Sequence, residues 1–128
     1  MKLLLDTCSF LWMIDAVEQL SPEAREALEA SSNELFLHQT SALEIQIKYQ
    51  TGKLGLRCSP KELIAAGLKQ HRVHYAPLED EEIWQLQKLP FLHRDPFDRL
   101  IISAALCQGM RLVTPDPQIH KYPVPIIW

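Results

Sequence analysis

Leu3, Leu4 and Leu5 form an unbroken apolar run that Asp6 closes, which predicts a short buried strand over 2–6 followed by a helix over 7–16. Ser21-Pro22-Glu23 is a helix start, with Ser21 placed to cap and Pro22 pre-set for the first turn, leading into Ala24, Ala27 and Leu28 on one face. Residues 34–38 repeat the short apolar run. Thr40-Ser41 then stands where a cap is needed for a helix ending near Thr51, before Gly52. Ser59-Pro60 opens a helix over 60–71, residues 73–78 read as a third strand, and a helix over 80–89 follows.

Asp95-Pro96 opens another helix, with Leu100, Ile101, Ala104 and Ala105 as its buried stripe and Gly109 as its stop. Residues 111–114 form the next strand, and the tail 124–128 a last one, which Pro125 confines to a sheet edge. Strands alternating with helices require right-handed crossovers and a mainly parallel sheet covered on both faces. The expected fold is a three-layer α/β/α sandwich of about four to five strands. In such sheets ligands gather beyond the carboxyl ends of the strands, so residues just after each strand matter most.

The chain's 128 residues fit one domain, 1–128, and its 47% apolar and 23% charged content is that of an ordinary globular protein. Cys8, Cys58 and Cys107 are an odd number at wide spacing, which argues against a disulfide framework or a zinc knuckle and for a reducing cytoplasm. Asp6 interrupts the opening apolar run too early for an export signal, and no apolar run is long enough to span a bilayer. A net charge of −3 gives the whole molecule no attraction for a polyanion. Local charge outweighs that total where an acidic cluster holds a dication among basic side chains.

Four acids fall at the expected rim. Asp6 ends the first strand, Asp116 follows the 111–114 strand, and Glu44 and Asp98 lie in the first turns of their helices. Clustered carboxylates repel, and a dication removes the conflict. Oxygen-only ligation selects a hard ion such as Mg²⁺ or Mn²⁺, which suits phosphodiester hydrolysis. Each acid also has a local explanation. Glu44 follows Ser41, and Asp98 follows Asp95, at capping-box spacing; Asp116 sits in a Pro-flanked turn. Asp6 is the hardest to explain locally, since an unpaired charge at a buried strand end is costly.

At this point the chain resembles the PIN-domain family, in particular its VapC-like toxins. The likeness is carried by Leu3-Leu4-Leu5-Asp6-Thr7, Ser41-Ala42-Leu43-Glu44-Ile45, the block from His93 through Arg94-Asp95-Pro96-Phe97-Asp98-Arg99-Leu100 to Ile102, and Thr114-Pro115-Asp116. The resemblance implies a PIN-like fold and a Mg²⁺- or Mn²⁺-dependent endoribonuclease with Asp6, Glu44, Asp98 and Asp116 as acidic ligands. Thr7 and Thr114 would orient them as hydroxyls from behind, and Asp95, the helix N-cap, would touch a metal-bound water. It also implies an RNA substrate, a cognate antitoxin protein and a homodimer.

Lys48, Lys53, His93, Arg94 and Arg99 are candidates for a basic rim that holds phosphates, with Arg94 and Arg99 equally able to neutralise the acids instead. Phe10, Leu11, Trp12 and Trp84 are candidates for an apolar patch or for core. Two rivals remain. An aspartyl-phosphate enzyme would carry a second acid two residues after Asp6, where Cys8 stands. A catalytically silent PIN-like module would bind RNA or protein without cutting.

Overall fold

A computed structural model describes all residues, 1–128. Five strands, β1 (Lys2–Leu5), β2 (Glu34–His38), β3 (Val73–Ala76), β4 (Arg111–Val113) and β5 (Ile126–Ile127), form one sheet in the order β3-β2-β1-β4-β5. Every pair is parallel. The chain builds outward from β1 through β2 to β3, then returns to the other side of β1 for β4 and β5. The direction of winding therefore reverses between β1 and β4, and that reversal opens a crevice at the carboxyl ends of these two strands.

Six α-helices cover the sheet: α1 (Thr7–Asp15), α2 (Pro22–Glu29), α3 (Gln39–Gln50), α4 (Pro60–Gln70), α5 (Asp80–Trp84) and α6 (Pro96–Gln108). Alternation along β1 divides the core. Leu3 and Leu5 pack with Phe10, Met13, Ala24, Leu37 and Leu63 on one face, whereas Leu4 packs with Ile101, Ala105 and Leu112 on the other. Burial of each such leucine contributes about 1.5–3 kcal/mol. Both faces of β1 are filled, so its sequence runs apolar without alternation. No helix is long and apolar enough to cross a membrane.

The Ser-Pro and Asp-Pro starts form as expected: the side chains of Ser21, Ser59 and Asp95 each accept a backbone N–H of the turn they precede. Gly109, at φ +65°, ends α6 in the left-handed conformation that a side chain would strain. Gly67 serves a different end. A Cβ there would lie 2.6 Å from Ile14 Cδ1 and 2.9 Å from Phe10 Cζ, so its absence lets α4 close onto α1.

Several expectations are corrected. Helix α3 begins at Gln39, and its cap is His38, whose Nδ1 accepts the Thr40 N–H, not Thr40 or Ser41. The expected helix over 80–89 is α5 followed by a 3-10 turn, Gln85–Lys88. β3 ends at Ala76, before Pro77, and β5 holds two residues at the edge. On α6, Leu100 is only partly buried, while Arg99, Ile102 and Ser103 join Ile101, Ala104 and Ala105 inside. Phe10 belongs to the core, Leu11 and Trp12 pack against it, and Trp84 is exposed.

Candidate active site

A cavity of about 240 Å³ opens at the β1–β4 crevice, lined by Asp6, Thr7, Cys8, Glu44, Lys48, Asp95, Asp98, Pro115 and Asp116. All four acids singled out in the sequence reach it, each from a different element. A larger hollow of about 660 Å³ lies between the Val17–Gln19 turn and α2, but its Glu18, Arg25, Glu26 and Glu29 do not sit at strand ends and present no such set of acids. Chemistry, not size, picks out the smaller cavity.

Asp6 is fixed from two sides. As N-cap of α1 it accepts the Ser9 N–H on Oδ1 at 2.7 Å, and Oδ2 accepts the Thr114 hydroxyl at 2.5 Å. The Ser9 hydroxyl donates to Val113 O, tying the start of α1 to the end of β4. Burial raises the Asp6 pKa, against the lowering effect of these hydrogen bonds, and Asp116 adds to the rise.

Glu44 points into the cavity and not at its own helix start. Its Oε1 accepts the Thr7 hydroxyl at 2.6 Å, and Lys48, one turn along α3, donates to Oε2 at 2.5 Å. Thr7 also lies 3.0 Å from the Ser41 hydroxyl. Since α3 starts at Gln39, the capping-box explanation of Ser41 and Glu44 fails. The hydrogen bond from Lys48 to Glu44 raises the Lys48 pKa.

Asp95 and Asp98 divide two tasks. Asp95 Oδ1 caps α6 by accepting the N–H groups of Phe97 and Asp98, so the backbone of Asp98 is served without its side chain. The Asp98 carboxylate instead meets His93 Nε2 at 3.1 Å. Burial pushes its pKa up to about 6 despite that hydrogen bond, with Asp95, Asp116 and Glu44 adding to the rise. The same surroundings push the Cys8 thiol up to about 11, burial first and the acids after, which makes it an unreactive wall of the cavity.

Asp116 keeps its local role as well as its place in the cavity. Its Oδ1 accepts the Gln118 N–H at 2.8 Å, an Asx turn, while its own N–H donates to Thr114 Oγ1. Thr114 therefore links Asp6 to Asp116.

The basic residues separate. Lys48 lines the cavity, and Lys53 and Arg94 are exposed. Arg99 is not on a rim. It is 8% exposed, and its guanidinium donates to Pro90 O, Leu86 O and the Tyr122 hydroxyl. It braces the loop before α6.

His93 acts through a group that the sequence does not point to. The Tyr122 hydroxyl accepts N–H bonds from Arg99 and from the His93 backbone, which leaves its single proton for His93 Nδ1 at 2.8 Å. Nε2 then carries the ring hydrogen and donates it to Asp98. Tyr122 lies 29 positions from His93, and no spacing rule connects them.

The donor set fits a hard dication: several carboxylates, a single cation in Lys48, and two acids whose pKa values are raised by burial first and by neighbouring acids after. As they stand, no three acidic, His or Cys side chains are arranged to hold a metal ion. Glu44 leans to Lys48 and Asp98 to His93.

Comparison with known proteins gives consistent results. In fold, the chain is similar to VapBC2 from Rickettsia felis bound to a DNA fragment from its promoter, at TM-score 0.74 and 18% identity over 98% of this chain and 97% of that one. It is similar also to DNA-bound VapBC from Salmonella typhimurium, at 0.69 and 16% over 98% and 96%, and to VapBC-1 from nontypeable Haemophilus influenzae, at 0.59 and 18% over 98% and 96%. Comparison by sequence with curated proteins finds no match. The PIN domain family model matches residues 3–125, a span that holds all four acids and reaches from β1 through β4, and the chain belongs to the PIN-domain family.

Proposed function

We propose that the protein is a metal-dependent endoribonuclease of the VapC kind, which hydrolyses RNA phosphodiester bonds and is held in check by an antitoxin protein. The observation that carries this reading is the convergence of Asp6, Glu44, Asp98 and Asp116 on one cavity at the β1–β4 crevice. The fold likeness to chains of VapBC structures supports the antitoxin partner.

Asp6, Glu44 and Asp98 would hold Mg²⁺ or Mn²⁺, with Asp116 acting from the outer edge. When bound, such an ion supplies an activated water and neutralises charge that builds on the phosphate. The chain's own residues prepare that site. Thr114 and Ser9 hold the Asp6 carboxylate in one orientation, and Thr7 does the same for Glu44. His93, set by Tyr122, orients Asp98. Lys48 offers an ammonium at the cavity wall, placed to meet a phosphate oxygen once Glu44 turns to other partners. Lys53 and Arg94 would attract the polyanion from outside.

The test is incubation of the purified protein with single-stranded RNA and the matching DNA, with Mg²⁺, with Mn²⁺ and with EDTA. The reading expects RNA cleavage that needs the dication. RNA bound but intact at millimolar Mg²⁺ or Mn²⁺ would favour a silent binding module instead.

A further inference from the structure

The stretch from Ile83 to Arg94 contains no acid, although the four residues before it, Glu79 to Glu82, are all acidic. It carries Lys88, His93 and Arg94, and it presents Phe91, which at 72% is the most exposed large apolar side chain of the molecule. A phenyl ring so placed keeps a large apolar area in water.

One face of that ring is already engaged. The Arg99 guanidinium carbon lies 4.8 Å from its centroid, and Arg99 is itself anchored by Pro90 O, Leu86 O and the Tyr122 hydroxyl. The cation therefore backs the ring as a fixed support. The platform also connects to the carboxylate cavity. Arg99 and His93 share the Tyr122 hydroxyl, and His93 donates to Asp98 in the cavity wall. Phe91 and His93 are two positions apart, so their Cα atoms lie within about 7 Å of each other.

We propose that Phe91 is a stacking platform for a nucleobase of single-stranded RNA that flanks the phosphate held at the carboxylate cavity. The inference rests on the ribonuclease reading above. An aromatic ring backed by a cation, in a strip that is basic and free of acids, suits a polyanion whose every base offers a π-face. Such a platform accepts any base and positions the strand without reading its sequence.

The experiment has two arms. In the first, RNA affinity is measured in an Asp98→Asn background, so that the strand is not consumed, for that protein alone and with F91A, F91L or F91W added. Loss of one stack weakens binding by between about fivefold and about a hundredfold. F91A and F91L are expected to fall in that range and F91W to restore affinity, although F91L still covers Arg99. In the second arm, abasic nucleotides are placed one at a time beside the cleavage position mapped with the wild type. At one position the abasic RNA should bind the parent weakly and show no further loss with F91A.

Equal affinity for all four proteins, or an F91A defect undiminished at every abasic position, overturns the platform while leaving wild-type cleavage intact. A change in self-association on ultracentrifugation of F91A, with RNA affinity unaltered, also overturns it and assigns Phe91 to an interface between copies. If the wild type neither cleaves nor binds RNA, the ribonuclease reading falls and the platform with it.

Discussion

His93 Nε2 lies 3.1 Å from Asp98 Oδ2, and Tyr122, by giving its proton to the other ring nitrogen, fixes the neutral tautomer that donates there. Tyr122→Phe removes that proton and the acceptor for two N–H groups, leaving part of the buried Arg99 guanidinium unsatisfied. The expected cost is about 1–3 kcal/mol of stability, read as a lower denaturation midpoint in urea. Activity should fall as well, since the His93 tautomer is no longer fixed.

The raised pKa values give the metal-free protein a definite pH dependence. Asp98, at about 6, holds its proton more tightly folded than unfolded, and Asp6 shifts in the same direction. The Asp98 contribution to stability is present in full below the ordinary carboxylate pKa and is lost as pH rises through about 6, and that of Asp6 is lost in the same direction as pH rises through its own raised pKa. The EDTA-treated protein should therefore melt higher at pH 5 than these two groups allow at pH 7.5. Asp98→Asn should raise the metal-free melting temperature at pH 7.5 and flatten the dependence, and added Mn²⁺ should stabilise wild type more at pH 7.5 than at pH 5.

Arg99 and Arg94 stand five residues apart and should behave differently. Arg99→Met leaves Pro90 O and Leu86 O without this donor and Tyr122 with one of its two, and is expected to cost about 1–3 kcal/mol of stability for each acceptor left unsatisfied. Arg94→Ala and Lys53→Ala touch exposed side chains. They should leave stability within about 0.5 kcal/mol and reduce the salt dependence of RNA binding by about one unit of slope for each phosphate no longer neutralised. Urea denaturation and binding at several salt concentrations separate the two classes.

Much of the architecture is legible because it depends on local signals. The caps at Ser21, Ser59 and Asp95, the stop at Gly109 and the apolar runs at 3–5 and 35–37 each act within a few residues. The start of α3 is not legible in this way, because a histidine cap is unusual. His38 is held in that role by Glu82, whose Oε1 lies 2.8 Å from Nε2 across 44 positions. The same buried Glu82 accepts the Glu79 N–H and closes a capping box at the start of α5, which is followed by a 3-10 turn from Gln85.

The site shows the same division. Asp6 and Asp116 can be placed from strand ends, and the block around Asp98 from resemblance. The inward turn of Arg99 cannot, because a guanidinium on a charged helix start reads as surface until Tyr122 and Phe91 are known to stand beside it. Thr114 on Asp6 and Thr7 on Glu44 are expected behind the acids and lie at hydrogen-bond distance from them.

The central claim is tested most directly by single-turnover cleavage of a labelled RNA by wild type, Asp6→Asn and Asp98→Asn, with Mn²⁺ or with EDTA. Asn preserves shape and, at Asp6, can still cap α1, so all three proteins should fold, as checked by circular dichroism. The account predicts metal-dependent cleavage by wild type and a loss in each variant greater than the ~10- to 100-fold that an outer partner of a metal ligand costs. Undiminished cleavage by both variants, or wild-type cleavage that persists in EDTA, would contradict it.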